Sequence, residues 1–211
     1  MKRVCVVLLC LLMIAGLCGC GQAPPANTPF DLNPHETNAY AEVLTAYRDE
    51  VWSDPYASES LRYSFYDIDG NGTKELLIGW YDEYNDTRLT NIYIIQNGVA
   101  VLQEMFYIVG EGGGLFPSKV FDNGVIRVDG SDDNGRGISF YRIEDGELKH
   151  QACLVCNINV FDWEEQVFND EYFHSLKDEG EIPITKDEFD RLQKEYEGDG
   201  QVVELDWRPL R

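Results

Sequence analysis

The chain has 211 residues, of which 44% are hydrophobic and 12% aromatic, and this is enough to build a packed core in one domain. It carries 38 acidic and 17 basic residues, for a formal net charge of −21 at pH 7. A surface this acidic repels phosphate backbones and anionic lipid headgroups, which excludes nucleic acid as a partner.

The first 19 residues have the composition of a secretory signal peptide. Lys2 and Arg3 precede an apolar run, Val4–Leu17, that has the length of a signal-peptide hydrophobic region and is short for a membrane span. An ordinary signal peptide or an uncleaved anchor are the alternatives. Removal of residues 1–19 would take away two basic residues and no acidic one, so the formal charge would change from −21 to −23.

The apolar run ends in Leu17-Cys18-Gly19-Cys20, which resembles the lipobox of bacterial lipoproteins. Cys20 follows a small residue, whereas modification of Cys18 would place the bulky Leu17 at the cleavage position. The resemblance implies that Cys20 is the lipidated residue, carrying fatty acyl chains such as palmitate. Each buried acyl CH₂ contributes about 0.8 kcal/mol, so two or more chains give durable attachment. We therefore expect a surface lipoprotein of the bacterial cell membrane, on its extracytoplasmic face.

Residues 20–33 are predicted to form an extended linker because Pro24, Pro25 and Pro29 disfavour regular structure. Pro34 suits the first position of a helix, after Asn33 as the N-cap. Apolar residues then recur at spacings of three and four, which predicts one buried helix face: Tyr40, Val43, Leu44, Tyr47 and Val51. The helix should end before Asp54-Pro55, and residues 34–211 are predicted to form a single domain.

The segment from Asp67 to Glu75 places oxygen-bearing residues at every second position around two glycines. These residues are Asp67, Asp69, Asn71, Thr73 and Glu75. Ca²⁺ requires six to eight oxygen ligands at about 2.3–2.6 Å, and a short chain can supply several of them by curling around the ion. Gly70 and Gly72 permit the positive φ angles of such a curl. The pattern predicts a structural calcium site in which Thr73 contributes its carbonyl.

The flanking residues distinguish two families with similar loops. An EF-hand has helices on both sides and a glutamate at the twelfth position, which here is Ile78. Residues 62–66 and 76–81 are instead aromatic and branched, which is typical of strands. The loop therefore resembles the calcium loops of FG-GAP repeats in integrin-type proteins, and similar segments occur in small bacterial surface lipoproteins of unknown role. The alternative is a plain hairpin turn.

Residues 61–168 carry the patterns of β-strands separated by tight turns. Asn97-Gly98, Asn123-Gly124 and Asp145-Gly146 each have a strand-like run beside them, which indicates hairpins. Propeller blades need about 40 residues each and at least four copies, and the chain is too short for them and has one ion loop. We therefore predict an α+β fold, a curved antiparallel β-meander with an N-terminal and a C-terminal helix packed on it.

The C-terminal region has a second set of helix signals. Thr185 and Glu188 form a capping box, and Phe189, Leu192 and Tyr196 share one helix face. The helix should stop near Gly198, and Val202–Leu205 is predicted to be the last strand.

Two further segments could hold a metal. Cys153 and Cys156 have the spacing of a redox or metal pair, but residues three apart in a strand face opposite sides. Two buried thiols, a disulfide, and zinc ligation with His150 and His174 remain open as alternatives. The acidic run Asp129–Gly135 is a second ion candidate, although its ninth position is Gly137, which offers no side-chain ligand.

Recognisable catalytic motifs are missing from the sequence, which has three histidines and neither a Gly-x-Ser-x-Gly nor a His-Glu-x-x-His pattern. We expect a non-catalytic lipoprotein that binds an unidentified extracellular protein or glycan. The alternative is a small extracellular hydrolase acting on cell-wall or carbohydrate material, with two catalytic carboxylates among the 38 acids. A deep pocket lined by two close carboxylates would favour the hydrolase.

Overall fold

The computed structural model describes residues 32–53, 59–81, 87–103, 118–132, 135–162, 167–176 and 180–210. Residues His35–Arg211 form one compact unit. The predicted signal peptide, Cys20 and most of the linker lie outside the described residues. In the described part of the chain, no helix combines the length and the apolar character needed to cross a bilayer.

The first sheet, sheet A, contains five strands in the spatial order β11-β1-β2-β3-β4, all antiparallel. Its members are β1 (Leu61–Tyr66), β2 (Glu75–Tyr81), β3 (Thr87–Gln96), β4 (Val99–Gln103) and β11 (Arg208–Pro209). Helix α1 (Pro34–Ser53) precedes this sheet in the chain.

The second sheet, sheet B, contains six antiparallel strands in sequential order from β5 to β10. They are β5 (Ser118–Val120), β6 (Ile126–Asp132), β7 (Gly135–Glu144), β8 (Glu147–Asp162), β9 (Val167–Leu176) and β10 (Gly180–Ile184). Helix α2 (Lys186–Glu197) follows.

The inner faces of the two sheets share one apolar core. Side chains alternate between faces along a strand, so Leu77 of β2 points into this core while Leu76 and Ile78 point to the opposite face. Buried residues from both sheets line the core: Ile68, Leu77, Leu89, Ile92, Ile94, Val120, Ile126, Val128, Tyr141 and Ile143.

Each helix covers the outer face of one sheet. On sheet A, Tyr40 of α1 packs its ring 5.4 Å from that of Phe65, and Tyr47 meets Tyr93 edge-on. On sheet B, α2 buries Phe189 and Leu192 in a second cluster; its other buried members are Phe121, Val125, Ile138, Phe140, Leu154 and Cys156. The described helices and strands thus form four layers in the order helix–sheet–sheet–helix.

The predicted α+β meander with two packed helices is confirmed, and the structure divides the meander between two sheets. The turns at Asn97-Gly98 and Asp145-Gly146 are also confirmed, since Asn97 and Asp145 have φ angles of 52° and 54° and each precedes a glycine with positive φ. This conformation fits the right-handed twist of paired strands. The Thr185 cap and the stop at Gly198 are confirmed as well.

The predicted last strand at Val202–Leu205 was wrong. Val202 makes only an isolated bridge to Phe121, and Val203 N–H donates to Val120 O at 2.8 Å. The chain then crosses from sheet B to sheet A, where β11 pairs with β1. A segment that passes between two sheets cannot continue a ladder on either, so its β-like composition did not produce a strand.

Candidate metal centre

The acidic loop connects β1 to β2 at one end of sheet A. Tyr66 and Glu75 form the last antiparallel pair before the chain leaves the sheet, so the loop has a strand on each side, as predicted. Gly70 and Gly72 have φ angles of 71° and 87°. A Cβ at either glycine would meet nothing within 4 Å, and therefore backbone conformation, not space, is what requires glycine here.

Three carboxylates of the loop converge. One oxygen from each of Asp67, Asp69 and Glu75 lies within 4.8 Å of the other two. Two oxygens bound to the same Ca²⁺ at about 2.4 Å are at most about 4.8 Å apart, because that is the diameter of the coordination sphere. The observed spacing is therefore compatible with a single ion held by all three residues.

Each of these carboxylates also accepts a backbone hydrogen bond from within the loop. Gly72 N–H donates to Asp67 Oδ2 at 2.9 Å, and Asn71 N–H donates to Asp69 Oδ1 at 3.1 Å. Ile68 N–H donates to Glu75 Oε2 at 2.7 Å. The other oxygen of Asp67, Oδ1, is buried and has no hydrogen-bond partner among the described residues. Burial of a carboxylate oxygen without a partner is costly, and a cation at this position would compensate it.

Glu75 is the most buried of the three acids, with 1% of its surface exposed. The pKa of Glu75 is raised from 4.5 to about 8, chiefly by desolvation; the negative charges of Asp69 and Asp67 contribute to the increase, and the hydrogen bond from Ile68 N–H acts in the opposite direction. The group is therefore in surroundings that disfavour its charge, and a bound divalent cation would reverse this balance.

The side chain of Asn71 forms two hydrogen bonds within the loop. Its Oδ1 accepts a hydrogen bond from Thr73 N–H at 2.7 Å, and its Nδ2 donates to Asp69 Oδ2 at 2.9 Å. The second bond places a partial positive charge against a carboxylate, as a cation would do more strongly. Asn71 Oδ1 has two lone pairs, so it can keep the bond from Thr73 N–H and offer the second lone pair to a cation.

Two residues of α1 reach the loop, and sequence reasoning missed both as part of the site. Glu36 Oε1 accepts a hydrogen bond from Lys74 N–H at 2.7 Å, and Tyr40 Oη donates to Lys74 O at 2.7 Å. Burial raises the pKa of Tyr40, and the nearby charges of Glu75 and Glu36 add to the effect. The one available signal was that Glu36 precedes Tyr40 by four residues, which places an acid on the predicted apolar face.

The loop is also connected to the core and to sheet B. Ile68, between the two aspartates, is 3% exposed and lies in the core between the sheets. Its carbonyl oxygen approaches the turn after β5 so closely that a Cβ on Gly124 would lie 3.0 Å away. A change in the loop would therefore be felt by both sheets.

The other candidate sites differ from this one. Cys153 and Cys156 are free, buried thiols, and Cys156 alone lies in the cluster beneath α2, so the opposite-face prediction is confirmed. Asp129 of the second ion candidate forms an ion pair with Arg127 at 2.6 Å. Residues 133 and 134 of that candidate lie outside the described ranges.

A cavity of about 370 Å³ lies between the start of β3, strand β5 and the crossing segment near the C-terminus. Its described lining includes one carboxylate, from Glu204, together with Lys119 and the ring of Trp207. The described residues thus do not bring to this cavity the carboxylate pair expected for the alternative hydrolase.

Comparison with known proteins provides little guidance. The chain matches no described protein family and no curated protein. It is similar to the solved structure of a Xanthomonas protein related to the type IV secretion system, with 14% sequence identity and a TM-score of 0.37. That similarity covers 58% of this chain and 57% of the other. Function is therefore inferred from the residues of the chain itself.

Proposed function

We propose that this protein is a membrane-anchored, extracytoplasmic lipoprotein whose β1–β2 loop holds a structural Ca²⁺ ion. The observation that carries the calcium proposal is the convergence of Asp67, Asp69 and Glu75, together with a buried oxygen of Asp67 that has no hydrogen-bond partner among the described residues. Carboxylate, amide and carbonyl oxygens are hard ligands, which select Ca²⁺ or Mg²⁺ over zinc or copper.

Calcium suits this loop better than magnesium. Mg²⁺ demands a near-ideal octahedron at about 2.0–2.1 Å and keeps several waters, whereas Ca²⁺ accepts six to eight oxygens in irregular geometry. A loop of alternating ligands fixed by its own backbone bonds has little freedom to contract. We expect Asp67, Asp69, Asn71, the Thr73 carbonyl and Glu75 to be the ligands, with water completing the shell.

The role assigned to the ion is structural. The ligands all come from one hairpin loop, whose residue Ile68 is part of the core between the two sheets. A bound divalent cation would offset the negative charge of the converging acids and fix the end of the β1–β2 hairpin. The protein is non-catalytic in this proposal, and its faces bind an extracellular protein or glycan.

Calcium titration calorimetry on the full chain tests the ion site. The unaltered protein should bind one Ca²⁺ with a dissociation constant of about 10⁻⁴–10⁻³ M, typical of extracellular modules. Asp67→Ala should abolish binding. Asp145→Ala is the control, because Asp145 is an exposed aspartate in a different hairpin turn, and its removal should leave binding unchanged. If the unaltered protein binds no calcium, the loop is a plain hairpin turn and the calcium proposal is wrong.

Membrane fractionation tests the anchor. If Cys20 is lipidated, the full-length protein should fractionate with membranes, and Cys20→Ala should release it or leave it unprocessed. Cys18→Ala is the matched control, since it changes the neighbouring cysteine and should leave attachment intact. Mass spectrometry that finds an unmodified mature N-terminus at another position would end the lipoprotein proposal.

A further inference from the structure

Helix α1 holds the backbone of Lys74 from both sides. Glu36 accepts a hydrogen bond from the Lys74 N–H, and Tyr40 donates one to the Lys74 carbonyl, each at 2.7 Å. Glu36 is 2% exposed and Tyr40 is 1% exposed. The two side chains lie one helical turn apart on the same face of α1. A buried acid directed at a backbone amide is an unusual way to dock a helix on a sheet, since apolar contacts would suffice.

The position of Lys74 in the loop connects this contact to the proposed calcium site. Lys74 stands between Thr73 and Glu75, two of the proposed calcium ligands. The Thr73 carbonyl and the Lys74 N–H belong to one planar trans peptide and point in opposite directions. When Glu36 draws the N–H towards α1, the Thr73 carbonyl is turned away from the helix. The bond from Tyr40 fixes the next peptide in the same way, and that peptide leads into Glu75.

We propose that Glu36 and Tyr40 are positioning residues for the calcium site, which orient the Thr73 carbonyl and Glu75 without touching the ion. This inference rests on the proposed calcium function. It also implies the reverse effect, because linkage between binding and docking is reciprocal. If calcium binding requires a correctly placed Lys74 peptide, then bound calcium stabilises the docked state of α1. This helix follows the predicted lipid-anchored linker.

Calcium affinity of four variants of the full chain tests the proposal. Glu36→Ala should weaken binding about 10-fold, within the range found for groups that orient metal ligands. Glu36→Gln keeps an oxygen that can accept from Lys74 N–H and should retain most of the affinity. Tyr40→Phe should weaken binding about three- to tenfold, corresponding to the lost hydrogen bond to Lys74 O; the longer contact of the hydroxyl with Tyr93 O, at 3.3 Å, does not involve the loop. Tyr47→Phe is the matched control.

The control separates positioning from packing. Tyr47 also lies on α1 and its hydroxyl meets that of Tyr93 at 3.2 Å, so Tyr47→Phe removes a hydroxyl from the same helix–sheet interface but not from the loop. It should leave the calcium dissociation constant unchanged. A merely structural role for Tyr40 would lower the melting temperature in both Tyr→Phe variants and change the calcium dissociation constant in neither.

Amide hydrogen exchange of the unaltered protein supplies a test that needs no variant. Calcium should slow exchange in α1 as well as in the loop, whereas α2 should respond less. If the unaltered protein binds calcium but Glu36→Ala and Tyr40→Phe bind equally well, the positioning role is overturned and the calcium site stands. Unchanged exchange in α1 on calcium binding would overturn it also. If the unaltered protein binds no calcium, both proposals fall.

Discussion

The two helices cover the outer faces of the two sheets through contacts of different chemistry. Helix α2 buries the hydrocarbon of Phe189 and Leu192 against sheet B. Helix α1 buries a carboxylate and a phenol, from Glu36 and Tyr40, which both form hydrogen bonds with the backbone of Lys74; the phenol also donates to Tyr93 O at 3.3 Å. Apolar contacts are non-directional and tolerate small shifts, whereas a hydrogen bond fixes the atoms that it joins. The comparison indicates that the contacts of α2 mainly stabilise the fold, whereas the contacts of α1 mainly fix the positions of backbone atoms in the acidic loop.

The electrostatic surroundings of the two helices differ in the same sense. The exposed face of α2 carries pairs of opposite charge, such as Arg191 with Glu188 and Glu195. The α1 half instead contains two buried carboxylates, of Glu36 on the helix and of Glu75 in the acidic loop. Exposed ion pairs contribute little to folding, but a buried acid is costly unless it is compensated. Sensitivity to pH and cations should therefore be concentrated in the α1 half.

The largest expected effect comes from removing a buried aromatic ring beneath α2. Phe189 is fully buried and packs edge-on against Tyr172, so Phe189→Ala should lower the free energy of unfolding by about 3–5 kcal/mol. Calcium affinity of the folded protein should remain unchanged. Urea denaturation and calorimetry measure the two quantities, and a large loss of calcium affinity would break the division between the halves.

The pH dependence of stability should come next in size. Because the pKa of Glu75 is raised from 4.5 to about 8 in the folded protein, the folded state keeps a proton that the unfolded chain releases between these values. The calcium-free protein should therefore lose stability as pH rises from about 5 to 8, by an amount on the order of a few kcal/mol. Urea midpoints measured in chelator across this range would show the slope.

Two controls sharpen the pH prediction. Glu75→Gln keeps an oxygen that can accept from Ile68 N–H but cannot ionise, so it should flatten the slope. Saturating calcium should flatten it too, because the bound ion stabilises the charged carboxylate. A slope of equal size in Glu75→Gln would assign the titration to another group.

Calcium itself should have a comparable but smaller effect. At 100 times its dissociation constant the ion should add about 2.7 kcal/mol to the free energy of unfolding. The melting temperature should rise with calcium and fall with chelator, and Mg²⁺ at the same concentration should shift it much less. An equal response to Mg²⁺ would argue for general screening of the acidic surface and against a built site.

The smallest effect is expected at the start of α2. Thr185 Oγ accepts from Glu188 N–H at 3.2 Å, so Thr185→Ala should cost about 1 kcal/mol through the lost cap. Thr45→Ala, at an exposed position of α1, is the matched control and should be close to neutral, because alanine is a better helix former. Denaturant midpoints measure both, and equal losses would show that the cap is not the cause.

Local features of this fold could be predicted from the sequence, because neighbouring residues determine them. A type I′ turn needs only a residue such as Asn97 or Asp145 that tolerates positive φ, followed by a glycine. The cap of α2 and the strands beside the acidic loop are equally local. The three converging carboxylates also lie within nine residues of each other, so their spacing carried the prediction.

The remaining features depend on contacts between distant residues. The division into two sheets depends on which strands pair, and the crossing segment after Val202 pairs with neither sheet for long. Glu36 meets Lys74 across 38 positions. Without the tertiary contact, an acid at one position of a helix face looks like a surface residue. The part of the site that α1 contributes was therefore hidden from sequence reasoning.

The thiols of Cys153 and Cys156 on β8 can report the local opening of sheet B. Burial raises the pKa of Cys153 to about 11, which keeps it from forming the reactive thiolate while the fold is closed. Cys156 lies under α2, and Cys153 faces the other side of the same strand beside Ser139. A thiol-labelling reagent, followed by peptide mapping, would then record when each face of sheet B opens. Labelling of Cys153 and Cys156 would thus report separately on the two faces of β8, without any engineered label.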